Sequence, residues 1–151
     1  MQDRTIDGPA TVAGDEELAA RLRIAVTRLN RRLRQESLAG VSPAQASALG
    51  AIHRLGTPSL GELADHEQVQ PPTMTRLAAG LETAGLVSRM ADAGDGRVVR
   101  VRLTAEGRRA LERIRTLKNA FLARGLAALD PADRAAAGAL TALLERMVEE
   151  P

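Results

Sequence analysis

Gln70, Thr73, Thr75 and Arg76 lie in one short stretch of the chain. Each residue type can read a nucleic acid. Glutamine pairs with adenine through two hydrogen bonds, arginine pairs likewise with guanine, and a threonine methyl can touch thymine. Thr75, at the flank, can reach a phosphate. Further along stands Asp95-Gly96-Arg97 in turn-forming surroundings. An arginine on a narrow projecting turn suits the minor groove, where A·T-rich tracts concentrate negative potential. Asp95 is repelled by phosphate, so its expected task is to fix the direction of Arg97 through an ion pair. Arg89 and Arg100 flank the turn and are expected to neutralise phosphates. This is the chemistry of recognition rather than of bond-making. No nucleophile–base pair, phosphate-cradling glycine loop or metal-ligand cluster can be assembled from the sequence. No catalytic residue, metal ligand or cofactor is therefore expected, and no small-molecule site can be placed.

Such residues work only if a helix presents the first set and a hairpin the second. Ser42-Pro43-Ala44-Gln45 and Ser59-Leu60-Gly61-Glu62 are capping boxes that open two short helices. A further helix is predicted from Gln70-Pro71-Pro72, with Met74, Leu77 and Leu81 on its buried side and Gly85 as a left-handed stop. The period then changes to two. Val87–Met90 and Val99–Leu103 alternate as half-buried strands, with Val99, Val101 and Leu103 facing in and Arg100 and Arg102 facing out. Between them, Ala91-Asp92-Ala93-Gly94-Asp95-Gly96 has turn chemistry. Two helices and a basic hairpin make a winged helix-turn-helix, whose second helix fits the major groove.

Long helices are predicted on either side. The first covers about 15–38, with Leu18, Leu22, Val26, Leu29 and Leu33 at helical spacing and Asp15, Glu16 and Glu17 at its positive end. The last two begin at Thr104 and at Asp130-Pro131. The second of these carries Leu140, Leu143, Leu144 and Met147, which read as core or interface rather than as a cofactor site. The expected fold is mainly α with a small β-hairpin wing. It comprises a loose tail (1–14), a dimerisation helix (15–40), the winged helix-turn-helix (42–103) and C-terminal dimerisation helices (104–150).

Composition narrows the function further. The chain has 151 residues and no cysteine, which removes disulfides, thiolate nucleophiles and cysteine redox sensing. Phe121 is the sole aromatic residue, which argues against binding single strands on stacking platforms. No apolar run approaches a membrane span and no signal peptide is visible, so a cytoplasmic protein with no membrane partner is expected. The net charge is only +2, and Lys118 is the only lysine. The charge is unevenly laid out: nine arginines against five acids give +4 over 70–115, whereas two arginines against five acids give −3 over 130–151. A basic middle suits a nucleic-acid face. Equally, arginine can stand in for lysine throughout a compositionally biased chain.

The order of elements and the signature residues resemble the MarR family of bacterial transcriptional regulators (multiple antibiotic resistance regulator). Asp95-Gly96-Arg97, five residues, then Leu103-Thr104-Ala105-Glu106-Gly107 fit that family's wing signature, D-x-R followed by L-T-x-x-G. Ser59–Ala64 resembles its first motif helix, and Met74–Leu77 with Leu81–Val87 resembles its recognition helix and exit. The resemblance implies a homodimer on a pseudo-palindromic double-stranded operator. It implies Gln70, Thr73, Thr75 and Arg76 in the major groove and Arg97, oriented by Asp95, in the minor groove. It also implies repression relieved by a small phenolic or anionic effector. Pro71-Pro72 departs from the pattern, because two N–H donors that could meet a phosphate are missing.

Plainer readings stand beside these. The arginines of the first helix (Arg21, Arg23, Arg28, Arg31, Arg32, Arg34) solvate it and form ion pairs. His53 and His66 are surface or half-buried side chains rather than metal ligands, and Met74 and Met90 are packing residues. The rival to a specific regulator is a non-specific architectural DNA binder that reads only backbone and groove shape. A winged fold that binds protein instead is a further rival, since fold alone does not fix function.

Overall fold

Local sequence decides where most helices start. In the computed structural model, which describes residues 10–36 and 40–149, the order is α1 (Ala10–Glu36), α2 (Pro43–Leu55), α3 (Leu60–Glu67), α4 (Pro71–Thr83), β1 (Val87–Ala91), β2 (Val99–Leu103), α5 (Ala105–Ala127) and α6 (Pro131–Glu149). Both capping boxes form. The Ser42 hydroxyl accepts the Gln45 N–H while the Gln45 side chain accepts the Ser42 N–H, and Ser59 and Glu62 do the same. Thr104 accepts the Gly107 N–H and Asp130 accepts the Asp133 N–H, starting α5 and α6. Each such cap contributes about 1 kcal/mol.

The chain divides into two compact units, residues 1–36 and 37–151. The first holds α1. This helix starts at Ala10, five residues before the predicted position, so Asp15, Glu16 and Glu17 do not lie in its first turn. Ala10 and Ala13 favour helix, and Gly14 inside a helix costs only about 1 kcal/mol. Residues 10–14 of the predicted tail (1–14) are therefore helical, while its residues 1–9 and the predicted end of the helix at 37–38 lie outside the described residues. Along α1, Leu22 and Leu33 are half-buried, whereas Leu18, Ile24, Val26 and Leu29 are exposed.

The second unit owns the core. Leu49 and Ile52 of α2, Leu63 of α3, Met74, Ala78 and Leu81 of α4, Val87 and Val101 of the hairpin, and Leu111 and Ile114 of α5 are all buried. Leu77, predicted inside, is half-buried, and Ala78 takes the innermost place. On α4 the apolar side therefore follows i, i+4, i+7 from Met74, because a small alanine permits the closest helix approach. No residue of α6 is buried.

Two close contacts join α5 to the hairpin. The Thr104 N–H donates to the Leu86 carbonyl at 3.1 Å, and its hydroxyl donates to the Gly85 carbonyl at 2.6 Å. Gly107 then lies so near the Leu86 carbonyl that a Cβ on it would be 1.9 Å from the oxygen. Thr104 and Gly107 thus serve packing. The exit from α4 needs Gly85 at φ 71°, as predicted, since that conformation is unfavourable for most side chains.

β1 and β2 pair antiparallel with Val87 opposite Leu103 and Ala91 opposite Val99. The segment before α3 adds to this sheet. Ser59 bridges to Arg100, and the Val101 N–H donates to the carbonyl of buried Pro58 at 2.9 Å. The wing is thereby joined to the helix-turn-helix through backbone.

Candidate nucleic-acid interface

α3 and α4 are joined by a turn in which Gln68 adopts the left-handed conformation at φ 53°. The Val69 N–H reaches back to the Ala64 carbonyl at 3.0 Å, closing the end of α3. Gln70 then caps α4 by position only, as its side chain makes no capping hydrogen bond. Pro71 and Pro72 bring no N–H, and the Thr73 and Met74 N–H groups donate to the Gln70 carbonyl at 2.9 and 3.1 Å. The first turn of α4 thus offers little backbone to an anion. Its reading capacity lies in side chains.

With Met74, Ala78 and Leu81 directed into the core, Gln70, Thr73, Thr75 and Arg76 are all exposed. The Thr75 hydroxyl donates to the Pro71 carbonyl at 3.0 Å, which leaves its lone pairs and methyl free but not its proton. The side chains of Gln70, Thr73 and Arg76 make no hydrogen bond or ion pair among the described residues. Thr73 and Arg76 also border a groove of about 490 Å³ whose other wall includes Ser42 and Gln45 at the start of α2.

The wing is more heavily tied than its sequence suggests. Asp92, which sequence reasoning treated as turn filler, is its hub. One carboxylate oxygen accepts the Gly94 and Asp95 N–H groups at 2.9 and 3.1 Å, and the other accepts Nε of Arg100. Arg100 together with those two N–H groups holds the Asp92 carboxyl down at about 2. Arg100 also donates to the Thr57 carbonyl at 3.0 Å and lies 3.4 Å from Glu62, and the Asp92 pairing raises its own pKa. Predicted to face outward, Arg100 is half-buried and is bonded through Nε and one terminal nitrogen. Arg89 is likewise engaged, with Nε donating to Glu82 at 2.7 Å. That bond is the main reason the Glu82 carboxyl is held below its usual range.

Asp95 meets Arg97 differently from expectation. Its carboxylate accepts the backbone N–H of Arg97 at 3.0 Å, and no ion pair joins the two side chains. A two-residue Asx turn explains this, since the short aspartate reaches its near neighbour's amide more easily than a long side chain's head. Arg97 itself is exposed, its guanidinium without a partner among the described residues.

A second hollow, of about 270 Å³, sits at the base of the wing and is lined in part by His53, Thr57, Arg102 and Arg108. Arg102 is held by Ser88 at 3.1 Å and Arg108 by the Leu103 carbonyl at 3.2 Å, and neither meets a carboxylate among the described residues. His66 lies on α3, 3.3 Å from Glu67. Among the described residues no three His, Asp or Glu side chains gather as a metal site, and no helix is long and apolar enough to cross a membrane.

Comparison with known proteins agrees with this geometry. The sequence profile of the MarR family matches residues 41–99. The chain is 36% identical to the helix-turn-helix transcriptional regulator Mb0904 of Mycobacterium bovis, over 90% of this chain and 96% of that protein. It is 28% identical to the transcriptional repressor MdtR of Bacillus subtilis, over 89% and 90% respectively. Among solved structures, a putative transcriptional regulator from Pseudomonas aeruginosa superposes with a TM-score of 0.79 at 39% identity, covering 91% of this chain and 98% of that one. With its winged helix-turn-helix, its wing signature and these relatives, the chain belongs to the MarR family of DNA-binding transcriptional regulators.

Proposed function

We propose that this regulator is a homodimeric, sequence-specific repressor acting on a pseudo-palindromic operator in the cytoplasm, released by a small anionic effector. One observation carries the DNA reading. Gln70, Thr73 and Arg76 on α4 and Arg97 at the wing tip keep their side chains exposed and uncommitted, whereas Arg89 and Arg100 are paired within the protein. Arg76 and Gln70 would read bases in the major groove. Thr73 and Thr75 would add methyl and hydroxyl contacts, and Arg97 would enter the minor groove. The repressor assignment draws on the similarity to MdtR. The effector assignment draws on the hollow at the wing base, where Arg102, Arg108 and His53 face a space suited to a small carboxylate or phenolate.

The test is fluorescence anisotropy on the duplex upstream of the protein's own gene, against a scrambled duplex and across a salt titration. A specific regulator prefers the native duplex by on the order of 10³-fold. Arg97→Ala should weaken binding by about 1–3 kcal/mol and blunt the preference for A·T flanks. Arg76→Ala should relax base choice at one position per half-site. Equal affinity for both duplexes would instead indicate an architectural DNA binder.

A further inference from the structure

The Arg100 guanidinium directs Nε and one terminal nitrogen into the protein. Nε goes to Asp92 on the hairpin, while the same group reaches the Thr57 carbonyl at 3.0 Å and Glu62 at 3.4 Å. Glu62 is itself the capping-box residue of α3, its Oε2 accepting the Ser59 N–H at 2.7 Å. Ser59 in turn bridges to the Arg100 backbone. From Asp92 the connections run on to the wing tip. Asp92 holds the Gly94 and Asp95 amides, and Asp95 holds the Arg97 amide. An unbroken series of hydrogen bonds thus leads from the first turn of α3 to Arg97. A lone exposed ion pair fixes little. Here one planar fork meets three acceptors on two separate segments, which fixes an orientation as well as a distance. Two carboxylates offset the charge of Arg100, so little of it remains to draw a phosphate. Among the described residues no carboxylate pairs with Arg76 or Arg97 in this way.

We propose that Arg100 is a positioning residue rather than a DNA contact: with Asp92 and Glu62 it bolts the wing to the start of α3 and so sets where Arg97 stands relative to α4. The consequence for binding rests on the DNA-reading role proposed above, whereas the bolt itself does not.

The experiment uses the full chain and three variants, Arg100→Lys, Arg100→Met and Asp92→Asn. Binding to the duplex upstream of the gene is measured across salt, and amide hydrogen exchange is measured without DNA. Lysine keeps the charge but cannot fork, so a phosphate contact would survive Arg100→Lys and a bolt would not. Asparagine can keep the Asx turn while removing a negative charge near DNA, a change that by electrostatics alone tightens binding. The bolt requires the opposite sign. Asp92→Asn and Arg100→Lys should each weaken binding on the order of tenfold. Arg100→Met should weaken it with the salt slope unchanged, and in each variant the Asp92 and Val98 amides should exchange faster while those of α2 do not.

The proposal is overturned if Asp92→Asn binds as well as or better than the parent. It is also overturned if Arg100→Met lowers the log–log salt slope by about 0.9, the mark of one lost phosphate contact, while Arg100→Lys binds normally. If the parent protein shows no preference for its duplex, the DNA reading fails by itself. Wing exchange then decides the bolt: faster exchange in the variants upholds it and unchanged exchange removes it.

Discussion

Asp92 turns the wing into an acid-sensitive element. Its carboxyl is held at about 2 against an ordinary 3.8, first by Arg100 and then by two loop amides. A depressed folded-state value means that the unfolded chain binds the proton more readily. The stabilisation is therefore complete well above pH 3.8 and is lost as the pH falls through about 2. Glu62, Glu82 and Glu106 are depressed as well, by the Ser59 amide, by Arg89 and by Arg109 respectively, so they act in the same direction. Carboxyl-detected NMR titration should give Asp92 a midpoint near 2 in the parent, moving up towards 3.8 in Arg100→Met. An ordinary midpoint in the parent would remove Arg100 as the cause. None of this was legible from residue type. Alternation along β2 assigns Arg100 to a face, but it does not say that the segment carrying Thr57 and Glu62 passes beneath that face. Asp92 looks like any other turn aspartate until its partner eight residues on is in place.

At the scale of elements the sequence was far more explicit. Ser42, Ser59 and Thr104 each announce a helix start because the cap is made within three residues. Gly85 announces a stop because few other residues accept its backbone angle. The two strands follow from alternation on either side of a loop of turn formers, whereas their register appears only in the structure. Less legible was the start of α1, where no strong cap opposes extension through Ala10–Ala13. The exchange of Leu77 for Ala78 on the inner side of α4 was hidden too, since helical spacing allows either and only close packing decides. Gly107 reads in sequence as part of a family signature, yet its reason is spatial. Gly107→Ala should destabilise by about 1–3 kcal/mol or more in urea unfolding, because the added methyl meets a backbone oxygen that cannot swing aside. The matched control, Gly138→Ala in α6, has open space around it and should gain about 0.5–1 kcal/mol from helix propensity. Equal effects at the two sites would deny the close approach of α5 to the hairpin.

For the whole molecule, the uneven spread of buried surface is the main fact. The core gathers around α2–α5, whereas Leu140, Leu143, Met147 and Val148 of α6, Leu126 at the end of α5 and Leu129 in the link between them stay exposed. α1, taken alone, also shows Leu18, Val26 and Leu29 to solvent. Apolar surface on this scale marks an interaction site rather than a finished exterior, which is the physical ground for the proposed homodimer. Sedimentation equilibrium should give twice the 16.0 kDa chain mass. Leu143→Glu combined with Met147→Glu should shift the protein to the single-chain mass and abolish binding to a two-half-site duplex. A parent that sediments as one chain while still binding such a duplex would count against the dimer.

The backbone contact between Pro58 and Val101 also has a kinetic side. It closes a loop with its ends 43 residues apart in the chain, the separation at which Thr57 meets Arg100, and both helices of the DNA-reading motif lie inside that loop. Local helices form early, while contacts of long sequence separation wait for loop closure. α3 and α4 precede β2 in the chain, so the Pro58 carbonyl finds its donor only after β2 has been made. The last strand of the wing is thus the one that completes the backbone link between the hairpin and the start of α3.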